Sequence, residues 1–121
     1  GRIIAKFGRQ WNSKLKTTTE NPGIDIKGQP GSAIRTVLGG VVTTITYIRG
    51  YGTTIIVDHG GGFYTVYSHV TNIQTVVDGQ VRNGDVIAYM GDSGSINGSK
   101  LHFEIWGKGQ KLDPEKWLIK K

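Results

Sequence analysis

The length, composition and charge of the chain exclude several classes of protein. Its 121 residues suffice for one domain with a modest core, and its 19 glycines lack the every-third-residue spacing of collagen. It has no cysteine, which excludes disulfides and thiolate metal sites, and no apolar run approaches the roughly 18 residues of a membrane span. The net charge of +6 suits an acidic partner, but the basic residues form no stripe with aromatic neighbours, so we do not expect nucleic-acid binding.

The first part of the chain is predicted to contain short strands and one polar loop. Residues 16–23 are polar and rich in turn formers, which predicts a loop. Asp25 follows in Gly-Ile-Asp-Ile, which predicts a short strand. Residues 33–48 are rich in β-branched side chains, and the Gly-Gly pair at residues 39–40 predicts their division into two strands.

The rest of the chain is predicted to form further strands and one short helix. Residues 53–59 and 63–70 flank three glycines and predict a hairpin. The other predicted strands are residues 74–77, 86–91 and 100–107. Asp113 and Pro114 predict the cap and the first residue of a short helix. Many short strands with hardly a helix predict an all-β domain, an antiparallel sandwich or partly open barrel.

Two segments contain residue types that bind metals or transfer protons. Asp25 lies in one, and in the other the period-two alternation of a strand places Lys100, His102 and Glu104 on one face. The opposite face of that strand is apolar. A single histidine on a strand is more often a structural residue than a ligand, and spacing alone gives His59 and His69 the same default interpretation.

Four segments carry a resemblance to a known family. They read PGIDI, GYGTTIIVDHGGGFYTVYSHV, VDGQVRNGDVIAYMGDSGSINGSKLHFEI and LDPEKWL, and together they cover most of the chain from Phe7 to Leu118. The chain resembles the lysostaphin-like, or LytM, metallopeptidases, a family of peptidoglycan hydrolases. The third segment also resembles a biotinyl or lipoyl domain, but the attachment lysine of such domains is missing. The resemblance implies one LytM-type domain over residues 1–121, expected to be the C-terminal domain of a longer protein because the chain starts without Met.

The resemblance implies roles for individual residues. In active members, a zinc ion is held by a His, by the Asp of Gly-x-Asp and by the second His of a His-x-His pair. Asp25 matches the Asp ligand, His102 matches the second ligand His, and His69 matches a histidine that assists the reaction. Asn21 stands in place of the first ligand His, and Lys100 stands in place of the first His of the pair.

The two replacements predict a cleft that neither binds zinc nor cleaves a substrate, with no catalytic residue and no cofactor. A catalytic zinc needs three protein ligands, and the amide oxygen of Asn21 is a poor donor. If the Lys100 ammonium lay about 5 Å from the ion, it would repel it by roughly 6–7 kcal/mol at an effective dielectric near 20. That figure is an upper bound, because the long side chain can turn towards water. Asp25 and His102 are then vestigial ligand positions. The resemblance implies that His59 occupies a framework position of the family, which is not a ligand position.

A branch of the family with such replacements, the EnvC-type murein hydrolase activators, resembles this chain in its closing LHFEIWGKGQKLDPEKWL. The resemblance implies a domain of the cell envelope, in the periplasm, that activates a separate peptidoglycan amidase during daughter-cell separation. We expect a regulatory helix of that amidase to bind in a groove, with Lys100 paired to a partner carboxylate. The expected groove residues are Asn21, Asp25, Tyr67, His69, Lys100 and His102.

Two alternative functions remain open at this stage. In the first, Glu20 or Glu104 supplies the missing ligand, and the domain is a zinc endopeptidase that cleaves peptidoglycan cross-bridges. In the second, the domain is a passive peptidoglycan-binding module that uses the groove and the positive charge.

Overall fold

The computed structural model describes residues 2–92 and 98–119, and most of them form short strands. The segment of the family match at residues 93–97 lies outside the described residues. In chain order the described elements are β1 (Arg2–Ala5), β2 (Gly8–Asn12), β3 (Thr17–Asn21), β4 (Ile24–Lys27), β5 (Ala33–Arg35), β6 (Gly40–Ile48), β7 (Gly52–Gly60), β8 (Phe63–Ser68), β9 (Val70–Thr71), β10 (Gln80–Val81), β11 (Val86–Met90), β12 (Lys100–Gly107), β13 (Gln110–Leu112) and α1 (Pro114–Ile119).

The strands form one large sheet, one small sheet and a separate hairpin. The main sheet has the order β1-β4-β12-β8-β7-β6-β10, with β13 beside β12, and the small sheet has the order β5-β11-β9. Strands β2 and β3 pair only with each other, and all the pairings are antiparallel. The buried core joins residues of both sheets, such as Phe103 and Ile55 of the main sheet and Ile87 of the small one. The predicted all-β antiparallel architecture is therefore confirmed.

The central strands position the candidate site residues. Strand β12 lies between β4 and β8, and His102 is directly opposite Asp25 on one side and Ser68 on the other. Because facing residues in a ladder point to the same side of the sheet, Asp25 and His102 meet on one face. Phe103, one residue along, points to the core.

Several local predictions from the sequence are confirmed. Strands β7 and β8 form the predicted hairpin, and the division at residues 39–40 separates β5 from β6. A Cβ atom on Gly40 would lie 2.2 Å from the carbonyl oxygen of Asp58, so only glycine allows this approach of the two strands. Pro114 begins α1, and the Asp113 carboxylate accepts a hydrogen bond of 3.0 Å from the backbone N–H of Glu115.

Two local predictions are wrong. Residues 16–23 were predicted as a loop, but Thr17–Asn21 forms β3 and pairs with β2. The residues of this ribbon are mostly exposed, so no apolar alternation marks the strand. Residues 74–77 were predicted as a strand but form none, and Val76 and Val77 are exposed. Their β-branched side chains gave the strand signal without a neighbouring strand to complete it.

Candidate functional site

A polar cleft of about 340 Å³ opens on the face of the main sheet where Asp25 and His102 meet. Its walls come from the end of β1, from β3 and the turn after it, from the turn between β6 and β7, and from the ends of β4, β8 and β12. The lining residues are Ala5, Thr19, Glu20, Asn21, Pro22, Asp25, Gly50, Tyr51, His69, Lys100 and His102. Five of the six predicted groove residues thus lie around one cleft.

A chain of hydrogen bonds joins the charged residues at the base of the cleft. One carboxylate oxygen of Asp25 lies 2.5 Å from His102 Nδ1, and the other lies 3.2 Å from Lys100 Nζ. On the opposite edge of the imidazole, Nε2 lies 2.8 Å from a Glu104 oxygen. The second Glu104 oxygen accepts a hydrogen bond of 2.7 Å from the indole of Trp106. Lys100 therefore bonds within the chain and does not turn towards water.

The pKa values of this cluster favour its charged forms. Burial lowers the pKa of His102, but hydrogen bonds and charges of Asp25 and Glu104 outweigh it, so the pKa is raised. Burial raises the pKa of both carboxyls, but it is outweighed by the sum of the opposing interactions, with His102 and Lys100 for Asp25 and with His102, Trp106 and Lys111 for Glu104. Both carboxyl pKa values are therefore held low. Two carboxylates thus face the imidazole of His102 and two ammonium groups, those of Lys100 at 3.2 Å from Asp25 and of Lys111 at 3.8 Å from Glu104.

Asn21 and His69 are held by the backbone around the cleft. The side-chain oxygen of Asn21 accepts a hydrogen bond of 3.2 Å from the N–H of Gly23, which tightens the turn into β4. His69 is buried and has a φ of +64°, a left-handed conformation in which His is several-fold enriched. Its N–H donates to the carbonyl of Tyr51 (2.8 Å), and its carbonyl accepts from Gly91 (3.1 Å). These bonds hold the strained residue at the cleft wall.

Tyr51 lines the cleft but was not predicted as a site residue. Its ring lies between two imidazoles, with centroids 4.9 Å from His102 and 6.5 Å from His69. Burial, with the nearby Glu104 and Asp25 charges, raises its pKa and keeps the phenol neutral. The sequence gives one signal that could have indicated Tyr51 as a cleft residue, its position between Gly50 and Gly52. An aromatic residue in such a tight turn is usually exposed to solvent or to a cleft.

Tyr67 is the one predicted groove residue that the structure moves elsewhere. It lies directly opposite Phe103, on the core face of the sheet, and is 1% exposed. Its hydroxyl donates to Thr36 (3.3 Å) and accepts from Thr65 (2.8 Å) and from the N–H of Val37 (3.2 Å). The prediction was wrong because the register pairs Tyr67 with the apolar set of β12, and Ser68 takes the place opposite His102.

His59 lies away from the cleft, as expected of a framework residue. Its Nδ1 is 2.9 Å from the carbonyl of Gly39, and its Nε2 is 2.7 Å from the Thr65 hydroxyl. The side chain therefore ties the turn before β6 to β8.

The residues at the cleft do not fit a catalytic zinc. A tetrahedral ion would separate its donor atoms by roughly 3.4 Å, given bonds of about 2.0–2.2 Å, whereas Asp25 and His102 Nδ1 are at hydrogen-bond distance. Lys100 holds the other Asp25 oxygen, and the Asn21 oxygen is used in a turn. Glu104 lies on the opposite edge of the imidazole and cannot share an ion with Nδ1. Within residues 2–92 and 98–119, no three His, Asp or Glu side chains are arranged around a metal position.

Comparison with known proteins identifies the family. Residues 19–114 match the family described as "Peptidase family M23". This chain belongs to peptidase family M23. The family predicted from the motifs is therefore confirmed. The structure of this M23 domain superposes on that of a protein described as LytU with a TM-score of 0.84 and 27% identity, over 98% of this chain and 85% of that one.

Curated M23 relatives carry names of two kinds. The domain is 41% identical to "Outer membrane antigenic lipoprotein B" of Haemophilus influenzae (98% of this chain, 27% of that protein). It is 33% identical to "DD-carboxypeptidase/endopeptidase Mpg" of Neisseria meningitidis (93% and 26%) and 30% identical to "Murein hydrolase activator EnvC" of Escherichia coli (98% and 27%). The chain thus spans about a quarter of these relatives, which include a named enzyme and a named activator. In the described part of the M23 domain, no helix is long and apolar enough to cross a membrane.

Proposed function

We propose that this M23 domain is a non-catalytic activator of a cell-wall amidase, acting in the periplasmic part of the cell envelope during daughter-cell separation. The observation that carries the proposal is the cluster in the cleft, where Lys100 bonds the carboxylate that would otherwise face a metal ion. The relative named murein hydrolase activator EnvC supports the same function. The proposed domain works without a cofactor.

The geometry is compatible with binding and offers little for hydrolysis. Because both ring nitrogens of His102 are engaged by carboxylates, the imidazole has no free nitrogen to accept a proton from water. The cleft is concave and polar, and the side chain of Tyr51 gives it an aromatic wall. Binding a regulatory helix of the amidase there would favour the open state of that enzyme. The size of this shift equals the difference between the binding free energies of the cleft for the open and closed states of the amidase.

The endopeptidase alternative receives no support from the donor set. It requires a third ligand beside Asp25 and His102. Glu104 lies on the far edge of the imidazole, and Glu20 belongs to no group of potential ligands among the described residues. The name of the relative Mpg shows that the family includes enzymes, which makes a direct test necessary.

The test combines the purified chain, dye-labelled sacculi and a panel of N-acetylmuramoyl-L-alanine amidases. We expect the chain alone to release no dye and to raise the activity of one amidase. Lys100→Glu should reduce this activation about tenfold, because it places a third carboxylate beside Asp25 and Glu104. Lys116→Glu, an exposed change of equal charge on α1, is the matched control.

Metal analysis of the same sample completes the test. Near-stoichiometric zinc, together with peptide cleavage by the chain alone that a chelator abolishes, would establish the endopeptidase and refute the activator. Binding of the chain to sacculi with no effect on any amidase would instead establish the passive module.

A further inference from the structure

A row of three cationic residues crosses the edge of the main sheet beside the cleft. Arg2 of β1 is directly opposite Lys27 of β4, and Lys27 is directly opposite Lys100 of β12. The next row along the same strands on that face contains Asp25 and His102. Since facing residues share a side of the sheet and alternate residues return to it, all three cations belong to the cleft face. With strands about 4.8 Å apart, the row spans roughly 10 Å.

The charge of this row is only partly compensated by the chain. Lys100 bonds Asp25, but in the described part of the chain no carboxylate lies within 4.0 Å of Arg2 or Lys27. Both of these side chains are exposed. Like charges directly opposite one another destabilise a sheet. The arrangement therefore costs stability and has no structural role that its contacts reveal.

The surroundings of the row are also free of acidic side chains. Arg2 and Lys27 line a groove of about 690 Å³, twice the volume of the cleft, which extends to Arg35. None of the residues that line this groove is acidic. A segment that leaves the cleft across the row therefore meets cationic and apolar side chains and no carboxylate in this groove.

We propose that the row Arg2–Lys27–Lys100 is the surface that binds an acidic segment of the amidase, with Lys27 at its centre. The inference rests on the proposed activator function and specifies its partner chemistry. Carboxylates of the partner would supply the counter-charge that the chain lacks and would relieve the repulsion along the row. Because Lys100 already bonds Asp25, we assign the principal partner contacts to Arg2 and Lys27, which changes the expectation drawn from the sequence.

The test is Lys27→Glu in the full chain, assayed with the amidase that the wild type activates. The substitution places a carboxylate between Arg2 and Lys100, so the melting temperature should be unchanged or higher. Affinity for the amidase should fall about tenfold at low salt, and the difference should shrink as salt screens the charges. The affinity of Lys27→Gln for the amidase should fall about threefold, and the matched charge change Lys116→Glu should leave the affinity unchanged. A residue with a purely structural role would lose stability and activation together.

The outcomes separate this inference from the proposed function. Equal activation by the wild type and Lys27→Glu would overturn the inference and leave the activator function standing. If the wild type activates no amidase, both fail. If Lys27→Glu loses binding to sacculi with no amidase present, the row binds the peptidoglycan polymer and the amidase assignment is wrong.

Discussion

Two hydrogen-bond networks, each with one histidine, lie on opposite faces of the main sheet and differ in the groups that surround the histidine. The cleft network joins two carboxylates to an imidazole and an ammonium, and its members are Asp25, Lys100, His102 and Glu104. The core network is built from a histidine and hydroxyl groups, and its members are His59, Thr65, Tyr67 and Thr36. The buried hydroxyl groups of the core network all make hydrogen bonds, so this network serves the fold. Charged groups have a larger desolvation cost, and Asp25 and Lys100 keep some exposure at the cleft, where a partner can reach them, whereas His102 and Glu104 are buried.

Breaking the charged network should have the largest effect. Glu104→Ala removes the partner of His102 Nε2 and of the Trp106 indole from a side chain that is 5% exposed. We expect the free energy of unfolding in urea to fall by about 3 kcal/mol, because a buried ion pair that loses one member leaves an unpaired charge. Glu20→Ala, an exposed carboxylate at the same cleft, should cost less than about 0.5 kcal/mol. A loss below about 1 kcal/mol for Glu104→Ala would show that the network does not stabilise the fold.

Breaking the core network should have a smaller effect on stability and none on activation. Tyr67→Phe removes a hydroxyl that accepts a hydrogen bond from the part-buried N–H of Val37 and bonds two buried threonines. We expect a loss of about 2 kcal/mol in the free energy of unfolding, since the buried Thr65 hydroxyl loses the acceptor of its hydrogen bond. Tyr47→Phe, at an exposed tyrosine, is the control and should cost almost nothing. If a folded Tyr67→Phe variant lost amidase activation, Tyr67 would have to be a groove residue, which would contradict its position in the core.

The pH dependence of stability sharpens the comparison further. The pKa of His102 is raised from 6.5. Its contribution to the stability of the fold is therefore complete below that pH and is lost as the pH rises through the raised value. The pKa values of Asp25 and Glu104 are lowered from 3.8 and 4.5. Their contribution to the stability of the fold is therefore present above those values and is lost as the pH falls through the lowered ones. The melting temperature should therefore be highest between about pH 4.5 and 6.5. His102→Gln should flatten the decline above this range, and Tyr67→Phe should leave its shape unchanged. An identical decline in His102→Gln would assign the titration to other groups.

Much of the fold and part of the site could be predicted from local pattern. The period-two alternation of Lys100, His102 and Glu104 indicated their shared face, and turn residues indicated the hairpin of β7 and β8. The position of Tyr67 was predicted wrongly because alternation within one strand does not show which residue of the neighbouring strand lies opposite, and so does not show which face of the sheet the residue occupies. Strand β3 was missed because a mostly exposed ribbon has no buried side to mark its period.

By itself, the sequence supplied the identities of the candidate cleft residues: Asn21 and Lys100 stand where the family resemblance implies a ligand His and an assisting His. These identities depend only on the motifs and their order. The tertiary structure decided the contacts, because the pairing of strands distant in the chain sets the register. Asp25 and His102 are 77 residues apart, and only the register of β4 on β12 closes their hydrogen bond and aligns Lys27 between Arg2 and Lys100.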